Sequence, residues 1–137
     1  MLAVDLKNRI KRSGPLSFSD FVESCLYDLD DGFYSKRGSA GRRGDFLTSP
    51  EVGPFFGSLI ANWLDKTWLK LNKPENFQVV EVGAGRGTLA RAVIDAQPSC
   101  LENGTYTMVE RSQKLRGEQP VSEKLISAAD MPDAPLV

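Results

Sequence analysis

The sequence predicts an α/β fold built on a parallel sheet with a nucleotide-type turn, on three observations. Val79, Val80 and Val82 form a short β-branched run, as expected for a strand buried on both faces of a parallel sheet. Gly83, Gly85 and Gly87 follow at alternate positions, and Thr88-Leu89-Ala90-Arg91-Ala92-Val93-Ile94 then reads as a helix. Tyr106-Thr107-Met108-Val109-Glu110 reads as a second strand that ends in an acid. Glycine has no Cβ, so the backbone can turn sharply and a ligand can approach it closely. The helix start beyond it offers unpaired N–H groups.

The detail of the turn narrows the ligand. A dinucleotide fingerprint has the spacing G-x-G-x-x-G, with the helix start facing a pyrophosphate. Here the spacing is G-x-G-x-G, and Glu81 stands two residues before the first glycine. An acid there repels a pyrophosphate and suits a cationic ligand such as S-adenosylmethionine, which carries an ammonium and a sulfonium. This disfavours a nicotinamide-dependent oxidoreductase. Glu110 lies near the offset at which an acid ending the next strand bonds ribose hydroxyls. The plainer alternative is a tight β–α turn that binds nothing.

Composition bounds the function classes. At 137 residues the chain is one domain or a large part of one. A formal net charge of −1 gives no bulk attraction to nucleic acid or to an anionic membrane. With 41% hydrophobic and 26% charged residues it reads as a soluble globular protein, and it contains no apolar run long enough to insert in a membrane. The N-terminus, Met1-Leu2-Ala3-Val4-Asp5, has neither a secretory h-region nor a serine-rich presequence, so a cytoplasmic, bacterial-type location is expected. Cys25 and Cys100 are too few and too far apart for a metal or redox motif, so no metal is expected, and Cys25 reads as a small buried hydrophobe. With no histidine, any chemistry must rest on carboxylates, backbone and positioning.

Taken in order, residues 3–12 predict a helix with Leu2, Leu6 and Ile10 on one side, stopped by Ser13-Gly14-Pro15. Ser17 with Asp20 resembles a capping box ahead of the stripe Phe18, Phe21, Val22, Cys25 and Leu26, a helix ending near Asp30-Asp31-Gly32. Residues 32–49 alternate glycines with Lys36, Arg37, Arg42 and Arg43 and read as a hairpin-like loop. Thr48-Ser49-Pro50-Glu51 reads as a helix start with Ser49 as N-cap and Pro50 at the first position. Val52, Phe55, Phe56, Leu59, Ile60, Trp63, Leu64, Trp68 and Leu71 continue a helical stripe, the two tryptophans as core residues; Pro54 predicts a kink or a later start. Asn72-Lys73-Pro74 breaks that helix. After Pro98 comes a loop to Thr105, then a helix start over Arg111–Arg116, a short strand at Leu125-Ile126-Ser127 and a linker at Pro132–Pro135, with Leu136-Val137 as the beginning of another strand.

These pieces resemble the MidA-type S-adenosylmethionine-dependent methyltransferases, whose mitochondrial member assists complex I assembly. The likeness is carried by Gly14-Pro15-Leu16-Ser17, Cys25-Leu26 and Gly32-Phe33-Tyr34. More specific is Gly44-Asp45-Phe46-Leu47-Thr48-Ser49-Pro50-Glu51-Val52, with Phe56-Gly57 and Trp63 behind it. Glu81 through Leu89 and Val109-Glu110-Arg111-Ser112, with Leu115-Arg116 and Gln119, complete it.

The resemblance implies a Rossmann-like class I methyltransferase fold, of which this chain holds the N-terminal half: a family-specific helical segment over 1–76 with its glycine/arginine-rich loop, and the first strands of the parallel sheet over 77–137. It implies a protein arginine as methyl acceptor. By position, Gly83, Gly85 and Gly87 would line the methionine part of S-adenosylmethionine, with Ala84 also at the cofactor, Glu81 near its ammonium and Glu110 on the ribose. Thr48 and Ser49 would help to close over the cofactor, and Asp45 and Glu51 are the candidate catalytic carboxylates, able to orient a guanidinium. The family's next motif, an Asn-Glu pair followed by Leu-Leu-Asp-Ala, would fall after Val137. The chain is therefore expected to be an incomplete portion, weak in catalysis by itself, with an exposed sheet edge open to self-association. A rival reading is a non-catalytic assembly or scaffold protein that keeps the fold.

Overall fold

The computed structural model describes residues 1–36, 38 and 47–133. Its chain divides into two compact units, Met1–Ser39 and Ala40–Val137. The expected boundary at 76/77 marks where helices give way to the first strand; the long helix before it belongs with the sheet, because it packs on the helix that follows the glycine turn.

The first unit contains α1 (Leu2–Ser13), α2 (Phe18–Tyr27) and a single turn, α3 (Phe33–Lys36). The capping box forms: Asp20 N donates to Ser17 Oγ at 3.1 Å and Ser17 Oγ to the Asp20 carboxylate at 2.7 Å. Arg9 of α1 donates to Ser24 of α2 at 3.1 Å. Cys25 is half-buried rather than fully enclosed, since α2 buries none of its residues completely. The helical turn at Phe33 replaces the start of the expected hairpin-like loop. The Gly32 carbonyl accepts from Ser35 N and Lys36 N, and a Cβ on Gly32 would stand 2.5 Å from Asp28 N, so only a bare backbone can fold back this closely. The rest of that loop, Arg37 and residues 39–46, lies outside the described residues, as do Ala134–Val137 of the expected linker and last strand.

The second unit holds α4 (Ser49–Val52), α5 (Pro54–Lys70), β1 (Gln78–Val82), α6 (Thr88–Asp95), a 3₁₀ turn (Ser99–Leu101), β2 (Thr105–Val109), α7 (Gln113–Arg116) and β3 (Leu125–Ala128). The helical stripe from Val52 is interrupted as Pro54 predicts: Gly53 is extended and α5 begins at Pro54, which sits where a missing N–H costs nothing. Thr48, one residue earlier than expected, takes the N-cap position of α4, and it makes no side-chain cap. Asn72 and Lys73, at φ of 62° and 55°, turn the chain away from α5. Trp68 is half-buried and donates its Nε1 to the Pro74 carbonyl at 3.0 Å. Trp63 is 59% exposed, so the expectation of a core residue fails there.

The three strands are parallel in the order β1-β2-β3. Register pairs Val79 with Tyr106 and Glu81 with Met108, and then Tyr106 with Leu125 and Met108 with Ser127. Because side chains alternate along a strand, these residues share one face. Val79, Tyr106, Met108 and Leu125 pack there on Ala61 and Leu64 of α5 and Ala90 and Val93 of α6. Gly57 lets α5 approach α6 closely, for a Cβ there would meet the Ala92 Cβ at 2.3 Å. β2, the middle strand, is the one buried on both faces; β1 is half-buried, with Val82 67% exposed, because it stands at the edge of the described sheet. The valine run thus reports β1 as a strand but not its place. Asp65 of α5 caps the 3₁₀ turn, accepting from Ser99 N and Cys100 N. Burial, with Asp65 nearby, pushes the Cys100 thiol up to about 12, which leaves it an inert core group.

Candidate cofactor-binding site

The site is built at the carboxyl ends of β1 and β2. After Val82 the chain crosses the end of β2: Gly83 N and Ala84 N both donate to the Val109 carbonyl, at 2.9 and 3.1 Å. Gly83, Gly85 and Gly87 have φ of 76°, 55° and 75°, the left-handed region that glycine enters without strain. Their reasons differ. A Cβ on Gly83 or Gly85 would meet nothing within 4 Å, so both face open space. A Cβ on Gly87 would stand 2.7 Å from Met108 Sδ and 2.9 Å from Pro120 Cδ, so Gly87 serves packing under the start of α6. Ala84 is buried, its side chain in the core and its carbonyl accepting from Gly87 N at 2.9 Å.

Two carboxylates border this turn. Glu81 lies near the end of β1 on the helix-covered face, where Tyr106 Oη donates to its Oε2 at 3.0 Å. Burial pushes its carboxyl from the ordinary value near 4.5 up to about 7, opposed by the Tyr106 bond. Tyr106 is in turn held far above its usual range, by burial first and then by Glu81. Glu110 follows β2 and is 7% exposed. Its Oε2 accepts from Gly85 N at 3.0 Å and its Oε1 from Ser112 N at 2.8 Å. An ionised carboxylate offers about four acceptor positions, so each oxygen keeps capacity for a further donor. Arg116 Nη1 donates to the Glu110 carbonyl at 2.7 Å and fixes the bend after β2.

Glu51 reaches the same corner from α4: its Oε1 accepts from Thr88 Oγ1, at 2.7 Å, on the first residue of α6. Thr48 and Ser49 lie exposed at the start of α4. Asp45 lies outside the described residues. The structure therefore brings together Glu81, Gly83, Ala84, Gly85, Gly87, Glu110 and, through Thr88, Glu51.

Residues 59–129 match a protein family described as "Putative S-adenosyl-L-methionine-dependent methyltransferase". The chain belongs to this methyltransferase family. Among relatives, it is 38% identical over 107 residues to the mitochondrial protein arginine methyltransferase NDUFAF7 homolog of Drosophila melanogaster, covering 78% of this chain and 24% of that protein. It is 36% identical over 115 residues to mitochondrial protein arginine methyltransferase NDUFAF7 of Homo sapiens, covering 80% of this chain and 26% of that protein. The chain thus spans about a quarter of the length of these relatives. Among solved structures, a COG1565 superfamily member from Burkholderia thailandensis bound to S-adenosyl-homocysteine superposes with a TM-score of 0.78 at 28% identity, over 96% of this chain and 38% of that one.

The family's cofactor suits the residues present. The open side of Gly83 and Gly85 leaves room for a ligand against bare backbone, Glu81 is an acid suited to a cation, and Glu110 retains acceptor capacity for a diol. No helix among the described residues is long and apolar enough to cross a membrane.

Several residues that hold this turn were not singled out as site residues from the sequence. Gln119 Nε2 donates to the Gly85 carbonyl at 2.9 Å, and Ser127 Oγ donates to Gln119 Oε1 at 2.5 Å. Arg86 pairs with Glu118 at 2.9 Å, and Thr88 and Tyr106 hold the two acids already named. Gln119 sits between Gly117 and Pro120, in what reads as a turn, and its partner lies 34 residues earlier. No local pattern signals such a contact.

Proposed function

We propose that this chain supplies the S-adenosylmethionine-binding portion of a protein arginine methyltransferase. The observation that carries the reading is the turn itself: two left-handed glycines face open space, bordered by the half-buried acid Glu81 and by Glu110, whose carboxylate is seated on Gly85 N. In this assignment Gly83 and Gly85 lie against the methionine part of the cofactor, Ala84 and Gly87 hold the turn's shape, Glu81 balances the ammonium and Glu110 accepts from the ribose hydroxyls. Thr48 and Ser49 belong to the segment that closes over the site.

The bound cofactor supplies an electrophilic methyl group, and the reaction is an in-line displacement. When bound, the cofactor would supply that methyl to a guanidine nitrogen, the carbon–sulfur bond electrons staying on sulfur and one guanidinium proton being released. Such a step depends largely on positioning and on electrostatics. Asp45 and Glu51 are the carboxylates proposed to orient the acceptor guanidinium through charge-assisted hydrogen bonds. The tie between Glu51 and Thr88 supports a place for Glu51 beside the cofactor turn. The relatives named as protein arginine methyltransferases support arginine as the acceptor.

Calorimetric titration with S-adenosylhomocysteine tests the reading. The chain is expected to bind, and Gly85→Val is expected not to, because a branched side chain would fill the open side of the turn. Equal affinity of the two would overturn the assignment.

A further inference from the structure

We propose that Gln119 is the positioning residue of the cofactor turn, with Ser127 setting which way its amide faces. This rests on the reading of Gly83–Gly87 as the S-adenosylmethionine site and names the groups that hold that site in shape.

Gly85 is gripped on both of its peptide groups by side chains. Its N–H donates to Glu110 at 3.0 Å and its carbonyl accepts from Gln119 at 2.9 Å. A carbonyl oxygen can only accept, so Gln119 must present its NH₂ to Gly85. The amide oxygen left over takes the Ser127 hydroxyl proton at 2.5 Å. Donation therefore runs one way, from Ser127 on β3 to Gln119, to Gly85, to Glu110 after β2. Bonds in such a series polarise one another. Gln119 is buried, so removal of either partner leaves a polar atom without solvent to replace it.

The residues beside Gln119 meet the same turn. Pro120 backs Gly87, the Glu118 carboxylate pairs with Arg86, and the Glu118 carbonyl accepts from Arg91 Nη2 at 2.9 Å. Glu118-Gln119-Pro120 is thus a buttress behind the turn, with Gln119 at its centre. A glycine turn needs one: glycine loses more conformational freedom than any other residue when it is fixed. A turn already held in its binding shape leaves less freedom to lose when the ligand arrives.

The test uses the full chain, S-adenosylhomocysteine and hydrogen exchange. Gln119→Leu is expected to bind about five-fold more weakly than wild type, the worth of one net hydrogen bond. Gln119→Glu presents a carboxylate to the Gly85 carbonyl and is expected to be at least as weak at pH 7.5. Burial and the facing Gly85 carbonyl favour the protonated carboxyl there. As the pH falls to 5 it therefore regains a proton to donate, and the ratio of the variant's affinity to that of wild type, taken at each pH, is expected to return to within about two-fold. Ser127→Ala should weaken binding in the wild-type background and add nothing to Gln119→Leu. In ligand-free Gln119→Leu, exchange should quicken in a peptide covering the glycine turn while β2 and α6 keep their protection. Binding by both Gln119 variants equal to wild type at every pH would overturn the proposal. So would faster exchange spread evenly through β2 and α6, which marks a merely structural loss. If wild type binds no S-adenosylhomocysteine, the site assignment fails, and the exchange pattern still decides the clamp: turn-local loosening sustains it and an unchanged turn overturns it.

Discussion

Replacing Glu81 by Gln should stabilise the chain at pH 8 and loosen its hold on a cationic ligand at the same pH. Burial raises the Glu81 carboxyl from about 4.5 to about 7. Between those values the folded chain holds this proton more tightly than the unfolded chain does, so stability falls as the pH rises through the window. At 1.36 kcal/mol for each pH unit between the two values, the charged carboxylate costs the folded state roughly 3 kcal/mol above pH 7. A neutral amide of the same shape escapes that cost and still accepts from Tyr106. The ceiling of the gain is therefore about 3 kcal/mol, less whatever it costs to bury the new NH₂. Urea unfolding followed by circular dichroism at pH 5 and pH 8 measures it. The variant should gain on wild type between the two values, because other groups titrate alike in both chains and cancel. A gap between variant and wild type that does not change with pH would refute the reasoning. For the ligand the sign reverses: an ammonium beside Glu81 favours the ionised form, so wild-type affinity for S-adenosylhomocysteine should rise from pH 6 to pH 8 and the variant's should stay flat.

Three further outcomes follow from the same geometry. Gly83→Ala should cost the fold only about 1–2 kcal/mol, the strain of a left-handed φ at a place with room for a Cβ, whereas Gly87→Ala should cost roughly 2–4 kcal/mol because overpacking against Met108 and Pro120 adds to that strain; thermal unfolding of the two variants side by side checks the order. Glu110→Ala should weaken S-adenosylhomocysteine binding by about 1.5–3 kcal/mol, the range for hydrogen bonds to a charged acceptor, and calorimetry showing wild-type affinity would count against the ribose assignment. The outer edge of β1, with Val82 exposed, should make the chain self-associate at micromolar concentration; a monodisperse monomer on sedimentation, together with cofactor-dependent methyl transfer to arginine proteins above background, would reverse both this and the expectation of weak catalysis.

Much of the second unit was legible because its signals are local. Gly83, Gly85 and Gly87 after a valine run require a turn, and an acid after the next apolar run falls beside it. Pro54 announced its own helix start, and Ser17 with Asp20 announced a cap. What stayed hidden depends on partners distant in sequence. The valine run could not say that β1 stands at the edge of the described sheet while β2 takes the middle, because β propensity does not encode strand order. Trp63 carries the same periodic mark as Leu64, yet one is exposed and the other buried, since the stripe on α5 is wider than the surface α6 and the sheet offer it. Gln119 was marked only as part of the family likeness, with no role attached, and its role exists only once β3 and the glycine turn are folded together.

The three glycines make the limit concrete. In sequence they are equivalent members of one spacing, and a single motif argument covers them all. In the structure two of them keep space empty, and the third lets Met108 and Pro120 close in beneath α6. Substitution at the first two should therefore act on ligand affinity on top of a modest backbone strain, and at the third chiefly on the fold. The acids divide in the same way. Glu110 is seated on two backbone N–H groups, which fix its carboxylate beside the turn. Glu81 is bonded by the Tyr106 phenol and is half-neutral near pH 7, so a bound cation would change its charge state as well as meet it. Glu81 is thus an acid whose ionisation is coupled to binding. Proton release on mixing the chain with S-adenosylhomocysteine near pH 7, absent in Glu81→Gln, is the direct measure of that coupling.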